Sequence, residues 1–162
     1  MGTIPWPADR VVPPRQWTPP AGTAVISADD HIVEGDLWVD RVPARYKDRA
    51  PRCWHDEKGH RHFTIDGQHR EVVGITPKPN RPGAWDVAAR IRDMDAEGVE
   101  QSLLFHGHTP ALFGHPDTDY MVACLDAFNE WFIEYAGQPA AQGRLHAIAI
   151  LPTWRHPEQT RD

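Results

Sequence analysis

Two helix-to-strand steps constrain this chain more than any other feature. In the first, Trp85 to Glu97 carries Ala88, Ile91, Met94 and Asp95 at helical spacing, with Arg90, Arg92 and Asp93 turned outward. Gly98 is placed as the helix stop, and Val99 to Phe105 follows at once as an apolar strand. In the second, Pro116 to Ala136 places Met121, Leu125, Phe128, Phe132 and Tyr135 on one stripe. Asp117 and Asp119 suit the positive end of that helix, and Gly137 and Pro139 end it. Arg144 to Leu151 then reads as a strand buried on both faces. An earlier apolar run, Val25 to Ala28, supplies a first buried strand. Strand–helix–strand twice over predicts an α/β fold with parallel pairing and right-handed crossovers.

Between the first strand and the first helix lies a polar excursion. Helical turns are expected around Leu37 to Val42 and Ala44 to Arg49, each stopped by a proline. In Arg52 to Val73, Phe63 and Ile65 alternate with Thr64, and Asp66-Gly67 is a hairpin turn signal. This predicts a small antiparallel hairpin with His60, His62 and His69 on its surface; His60-x-His62 has ligand-like spacing but reads as solvent exposed. Gly74 to Gly83 holds three prolines and is a loop.

The N-terminal residues 1–23 form a proline-rich, extended arm with Trp6 and Trp17, either a docking element or a tail. With 162 residues, the length suits one domain or a large piece of one. Residues 24–162 are read as that domain. The net charge is -6, with no basic block, which argues against nucleic acid as a partner. No apolar run is long enough to cross a bilayer, and no signal-peptide core is visible. Cys53 and Cys124 fit no metal spacing, so free thiols and a cytoplasmic location are expected. Neither a glycine-rich phosphate loop nor a G-x-S-x-G elbow follows any strand.

Two histidine motifs lie at strand ends. Asp29-x-His31 puts a carboxylate and an imidazole on one side of the first strand, the beginning of a divalent metal site. The plainer alternative is that Asp29 or Asp30 caps a turn and His31 is incidental. His106-Gly107-His108, after the second parallel strand, is a second candidate, either ligating or lining a pocket. If His31, His106 and His108 faced one crevice, a small open α/β domain with a ligand at its strand ends would also fit.

Several segments together resemble a known family. Ile26-Ser27-Ala28-Asp29-Asp30-His31-Ile32-Val33-Glu34 is similar to the opening strand of the amidohydrolase-related branch of the amidohydrolase superfamily. That branch includes aminocarboxymuconate-semialdehyde and resorcylate-type decarboxylases. The similarity continues through Leu37-Trp38, Val42 to Pro51, Arg92 to Glu100, Ala127 to Trp131 and Gly143 to Pro152, within residues 24–158. The resemblance implies the N-terminal part, about three strand–helix units, of a TIM (β/α)₈ barrel. It places Asp29 and His31 on the first-strand metal ligand pair, turns Asp30 to the other side of the strand, and leaves His106 and His108 as pocket-lining candidates. It also implies one divalent metal ion, zinc first and manganese second, and a small-molecule substrate. The complete protein would hydrolyse a C–N or C–O bond with a metal-activated water, or, as the alternative, carry out a non-oxidative decarboxylation. Further ligands and the catalytic acid/base are expected on later strands, so the chain reads as a fragment. A truncated chain that docks to a partner is the non-catalytic alternative. Three parallel strands leave open edges, which predicts a homo-oligomer or a complementing chain.

Overall fold

The computed structural model describes residues 18–55, 61–71 and 82–152. Residues 1–17 of the arm, with Trp6 and Trp17, His60, Val72-Val73, residues 74–81 of the proline loop and the segment from Thr153 onward lie outside the described residues.

Two sheets organise the chain. The first is parallel and contains β1 (Ile26–His31), β5 (Gln101–Phe105) and β6 (Leu145–Ala147), side by side in that order. Helix α1 (Val87–Glu97) connects β1 to β5, and α2 (Thr118–Ala136) connects β5 to β6. The second is antiparallel, with β2 (Arg52–His55), β3 (Arg61–Ile65) and β4 (Gln68–Glu71) in sequence order. Parallel strands that lie in sequence order, each joined to the next by a helix, make an arc wound in one direction, as a barrel requires. A doubly wound sheet would reverse its order at a switch point.

The helices form where the spacing places them. Asp86 caps α1 by accepting a hydrogen bond from the Ala89 N–H at 2.6 Å. Gly98 closes α1 in the left-handed conformation, at φ 66°. In α2, Asp117 caps the first turn by accepting from Tyr120 N at 3.1 Å. The stripe Met121, Leu125, Phe128, Phe132 and Tyr135 is buried, and each such side chain contributes about 1.5–3 kcal/mol. Trp38, from the turn after β1, completes this core and donates its indole N–H to the Cys124 carbonyl at 3.0 Å. Cys53 and Cys124 are both buried, and neither forms a disulfide among the described residues. Burial pushes the Cys124 thiol up to about 12, so it stays protonated. No helix among the described residues is long and apolar enough to cross a membrane.

Several expectations change on contact with the structure. The excursion is a three-stranded meander, because Arg52–His55 pairs with β3 as well. The first strand runs on through Asp29 and His31 and is largely exposed, not buried. Its register against β5 slips by one residue between Ser27 and Asp30, a bulge that keeps Ile26 and His31 on one side of the sheet. Arg90, expected to point outward, is buried. Its guanidinium reaches beneath the strand end, where Nη2 donates to the His31 carbonyl at 2.7 Å and Nη1 lies 3.7 Å from Asp30. The third strand is shorter than Arg144 to Leu151 and is not buried on both faces: His146 and Ile148 are exposed. Past the last pairing bond, Ile148 N–H to the Leu104 carbonyl, Asn129 satisfies the backbone of Ile150. Its side-chain amide donates to the Ile150 carbonyl and its oxygen accepts from the Ile150 N–H, both at 2.9 Å. A helix side chain thus takes the place of a neighbouring strand.

Candidate functional site

The C-terminal ends of β1 and β5 meet where His31 pairs with Phe105. His31 Nδ1 lies 2.7 Å from the His106 carbonyl oxygen. A carbonyl can only accept, so Nδ1 carries a proton and donates it. In the neutral ring the lone pair is then on Nε2. That atom faces Asp29, with Nε2 to Oδ1 at 3.3 Å. A second ring proton on Nε2, or a metal cation in its place, satisfies both atoms at that distance. Two ligands of a tetrahedral zinc ion stand about 3.3 Å apart, given bond lengths of about 2.0–2.1 Å. Asp29 and His31 are exposed to solvent, so a small cation has access. Their chemistry and spacing fit two ligands of a divalent metal. Among the described residues, no group of three or more His, Cys, Asp or Glu side chains is arranged to hold a metal.

Asp30 turns the other way, as alternation dictates. Its carboxylate accepts a very short hydrogen bond from the Ser102 hydroxyl and faces Arg90. It therefore braces the strand end from the helix side.

His106 and His108 lie on the loop just past β5, and both are half-buried. The His106 ring stands edge-on to His31, with centroids 6.5 Å apart, and the His108 ring leans on Phe63 at 5.7 Å. Burial lowers His106 below the usual imidazole range; the Glu34 carboxylate offsets part of this and His31 adds to it. The His106 ring is thus neutral near pH 7. What His106 contributes directly to His31 is its backbone carbonyl.

The residue that organises this loop is Glu34, which the spacing of the motifs did not single out. Its carboxylate is 1% exposed. Oε1 accepts from the Gly107 N–H at 2.7 Å, the His108 N–H at 2.9 Å and the Thr109 hydroxyl at 2.9 Å, and the Thr109 N–H also points at it. Gly107 is required by this close approach: a Cβ there would meet Glu34 Oε2 and sit 2.6 Å from the Ile32 carbonyl. The His106-Gly107-His108 motif was legible in the sequence, whereas the carboxylate that holds its backbone was not. A glutamate three residues beyond a strand-end histidine has no periodicity that marks it.

A cavity of about 320 Å³ opens beside β1, lined by Ser27, Asp30, Arg90, Asp93 and Glu97 among others. It includes His31 but not Asp29, His106 or His108. It lies toward α1, with Arg90, Asp93, Met94 and Glu97 in its wall.

Over 85% of its length the chain superposes on 45% of an amidohydrolase from Mycobacterium avium subsp. paratuberculosis K-10, with 19% sequence identity and a TM-score of 0.66. The likeness is one of fold, and the chain spans a little under half the length of that protein. No family model matches the sequence, and no curated protein matches it.

Proposed function

We propose that the chain is the leading part of a divalent-metal-dependent barrel hydrolase of the amidohydrolase superfamily, acting on a C–N or C–O bond of a small molecule, with Asp29 and His31 as two of its metal ligands. The observation that carries this reading is the 3.3 Å approach of His31 Nε2 to Asp29 Oδ1, with Nδ1 anchored on the His106 carbonyl. A ligating histidine normally donates its other nitrogen in this way, which fixes its tautomer and orientation. A structure with which the chain shares its fold is that of an amidohydrolase. The chain's own residues do not separate hydrolysis from the decarboxylase alternative; hydrolysis is preferred on the likeness to that amidohydrolase.

When bound, the cation would make a water more acidic and polarise a carbonyl. The chain's own part is positional. His31 offers Nε2 because its Nδ1–H is engaged. The cradle around Glu34 holds the carbonyl that engages it. Arg90 and Ser102 secure Asp30 on the helix side, leaving Asp29 to face His31.

The test is metal content of the protein isolated from its source, followed by substitution. Stoichiometric zinc or manganese is expected, and Asp29→Ala and His31→Ala should each abolish its retention on dialysis along with hydrolysis of an amide and lactone panel. A protein that holds no metal, or an Asp29→Ala variant that keeps both metal and activity, refutes the reading.

A further inference from the structure

A second set of histidines lies away from the strand ends, on the antiparallel sheet. Phe63 and Ile65 face inward from β3, 1% and 2% exposed, so the residues between and beside them face outward. Trp54 on β2 and His62 on β3 are directly opposed. His69 on β4 stands opposite Thr64, which makes it the diagonal neighbour of His62 on the same outer face. The three rings meet there. Trp54 stacks on His62 with centroids 5.3 Å apart and planes 17° from parallel. His62 and His69 centroids are 5.0 Å apart, and His62 Nδ1 lies 2.8 Å from His69 Nε2.

We propose that His62 and His69 form a two-histidine site for a divalent ion of the nickel, copper and zinc group, walled on one side by Trp54. Two imidazole nitrogens aimed at each other hold one proton between them; a cation in its place engages both lone pairs. Spreading the nitrogens from 2.8 Å to the roughly 3.3 Å that two ligands of one such ion require needs only side-chain rotation. His69 is exposed and free to make that movement. The ligands sit on adjacent strands of one hairpin, so the bite is set by the sheet and not by a loop. Trp54 holds the His62 ring against its strand, which lowers the entropy that ordering it would cost. Neutral imidazoles suit nickel, copper and zinc and offer nothing to magnesium or calcium, which take oxygen ligands. Water fills the remaining positions, so this is a surface site of moderate affinity, strongest for copper by the Irving–Williams order. Because both ligands must be deprotonated, binding weakens in acid.

The test uses the full chain carrying His31→Ala, which removes the strand-end ligand from the measurement. Ni²⁺ alone is titrated by calorimetry, and Cu²⁺ by quenching of tryptophan emission. The expected result is one Ni²⁺ bound per chain, weakened about tenfold or more in both His62→Gln and His69→Gln. Cu²⁺ should quench a component of the emission that Trp54→Phe removes, and Mg²⁺ should do neither. If the parent binds no Ni²⁺, or if only one or neither of the two substitutions weakens it, the proposal is overturned. His69 is exposed, so His69→Ala serves as a further variant that leaves the core intact.

Discussion

Glu34 shows how much a single residue can decide at a strand end. A buried carboxylate is tolerated only where its oxygens find donors, and here three successive backbone N–H groups and a threonine hydroxyl converge on it. Glu34→Gln turns part of that acceptor into a donor facing other donors. The expected cost is about 1–3 kcal/mol, read as a lower urea midpoint. Gly107→Ala should cost about as much by overpacking the same cradle. Both variants should also shift the backbone resonances of His106 and His108. A midpoint unchanged in both would mean that the cradle does not hold the loop. Asp29 and His31 were legible because two residues apart on a strand means one side of a sheet. Arg90 was assigned to the wrong face because helical periodicity sees a charge and expects solvent. It does not see the His31 carbonyl and Asp30 waiting beneath the strand end.

Among the elements, the joint between the meander and α2 is held by one arginine. Arg49 ends the turn Ala44–Arg49 and donates to both oxygens of Asp66, at 2.6 and 2.9 Å, and to Asp117 at 2.8 Å. Asp66 opens the tight turn between β3 and β4, and Asp117 is the cap of α2. Tyr120 stands in the same cluster, donating its hydroxyl to the Arg49 carbonyl at 2.7 Å, and His115 lies 3.5 Å from Asp66. Hydrogen bonds from Arg49 hold both carboxyls below the usual range; for Asp117 the Tyr120 N–H adds to this. The folded state therefore gives up these protons more readily than the unfolded chain. The stability this contributes is complete above the ordinary carboxylate range, about pH 4, and is lost as pH falls through the lower folded values. Thermal melts should be flat on this account from pH 7 to about 5 and should drop below about 4. Arg49→Met should lower the melting temperature at pH 7 and flatten that acid limb. An acid limb of unchanged slope in the variant would assign the pH dependence to other groups. The elements themselves were mostly visible in the sequence: both helices, their glycine stops and the Asp66-Gly67 turn follow local rules, whereas Asp86 and Asp117 were read as helical residues and stand as the N-caps. The length of β6 was not, because pairing ends where its partner β5 ends at Phe105, and an apolar run does not show where a neighbouring strand stops.

At the scale of the whole molecule, the parallel sheet has, among the described residues, one covered face and one open face. Ser102 and Leu104 of β5 and Leu145 of β6 are buried on the helix side. Alternation puts Leu103 and Phe105 on the other side, together with Ile26, 57% exposed, and Ile148, 38% exposed. Parallel sheets are stable when both faces are covered, and among the described residues no strand pairs with the outer edges of β1 and β6. The 162-residue polypeptide on its own is therefore expected to associate through this face. Sedimentation velocity should show a mass above 18.3 kDa at tens of micromolar. Replacing Ile26 and Ile148 together by lysine should shift the chain toward monomer without lowering its melting temperature, since neither side chain belongs to the buried core. The fluorescent probe ANS should bind the parent monomer at high dilution and bind the double variant less. A parent that stays monomeric at about 100 µM and leaves ANS dark would mean that the open face is closed in solution. The Asp29–His31 pair stands on that same side of the sheet, so whatever covers the face also forms one wall of the proposed metal site.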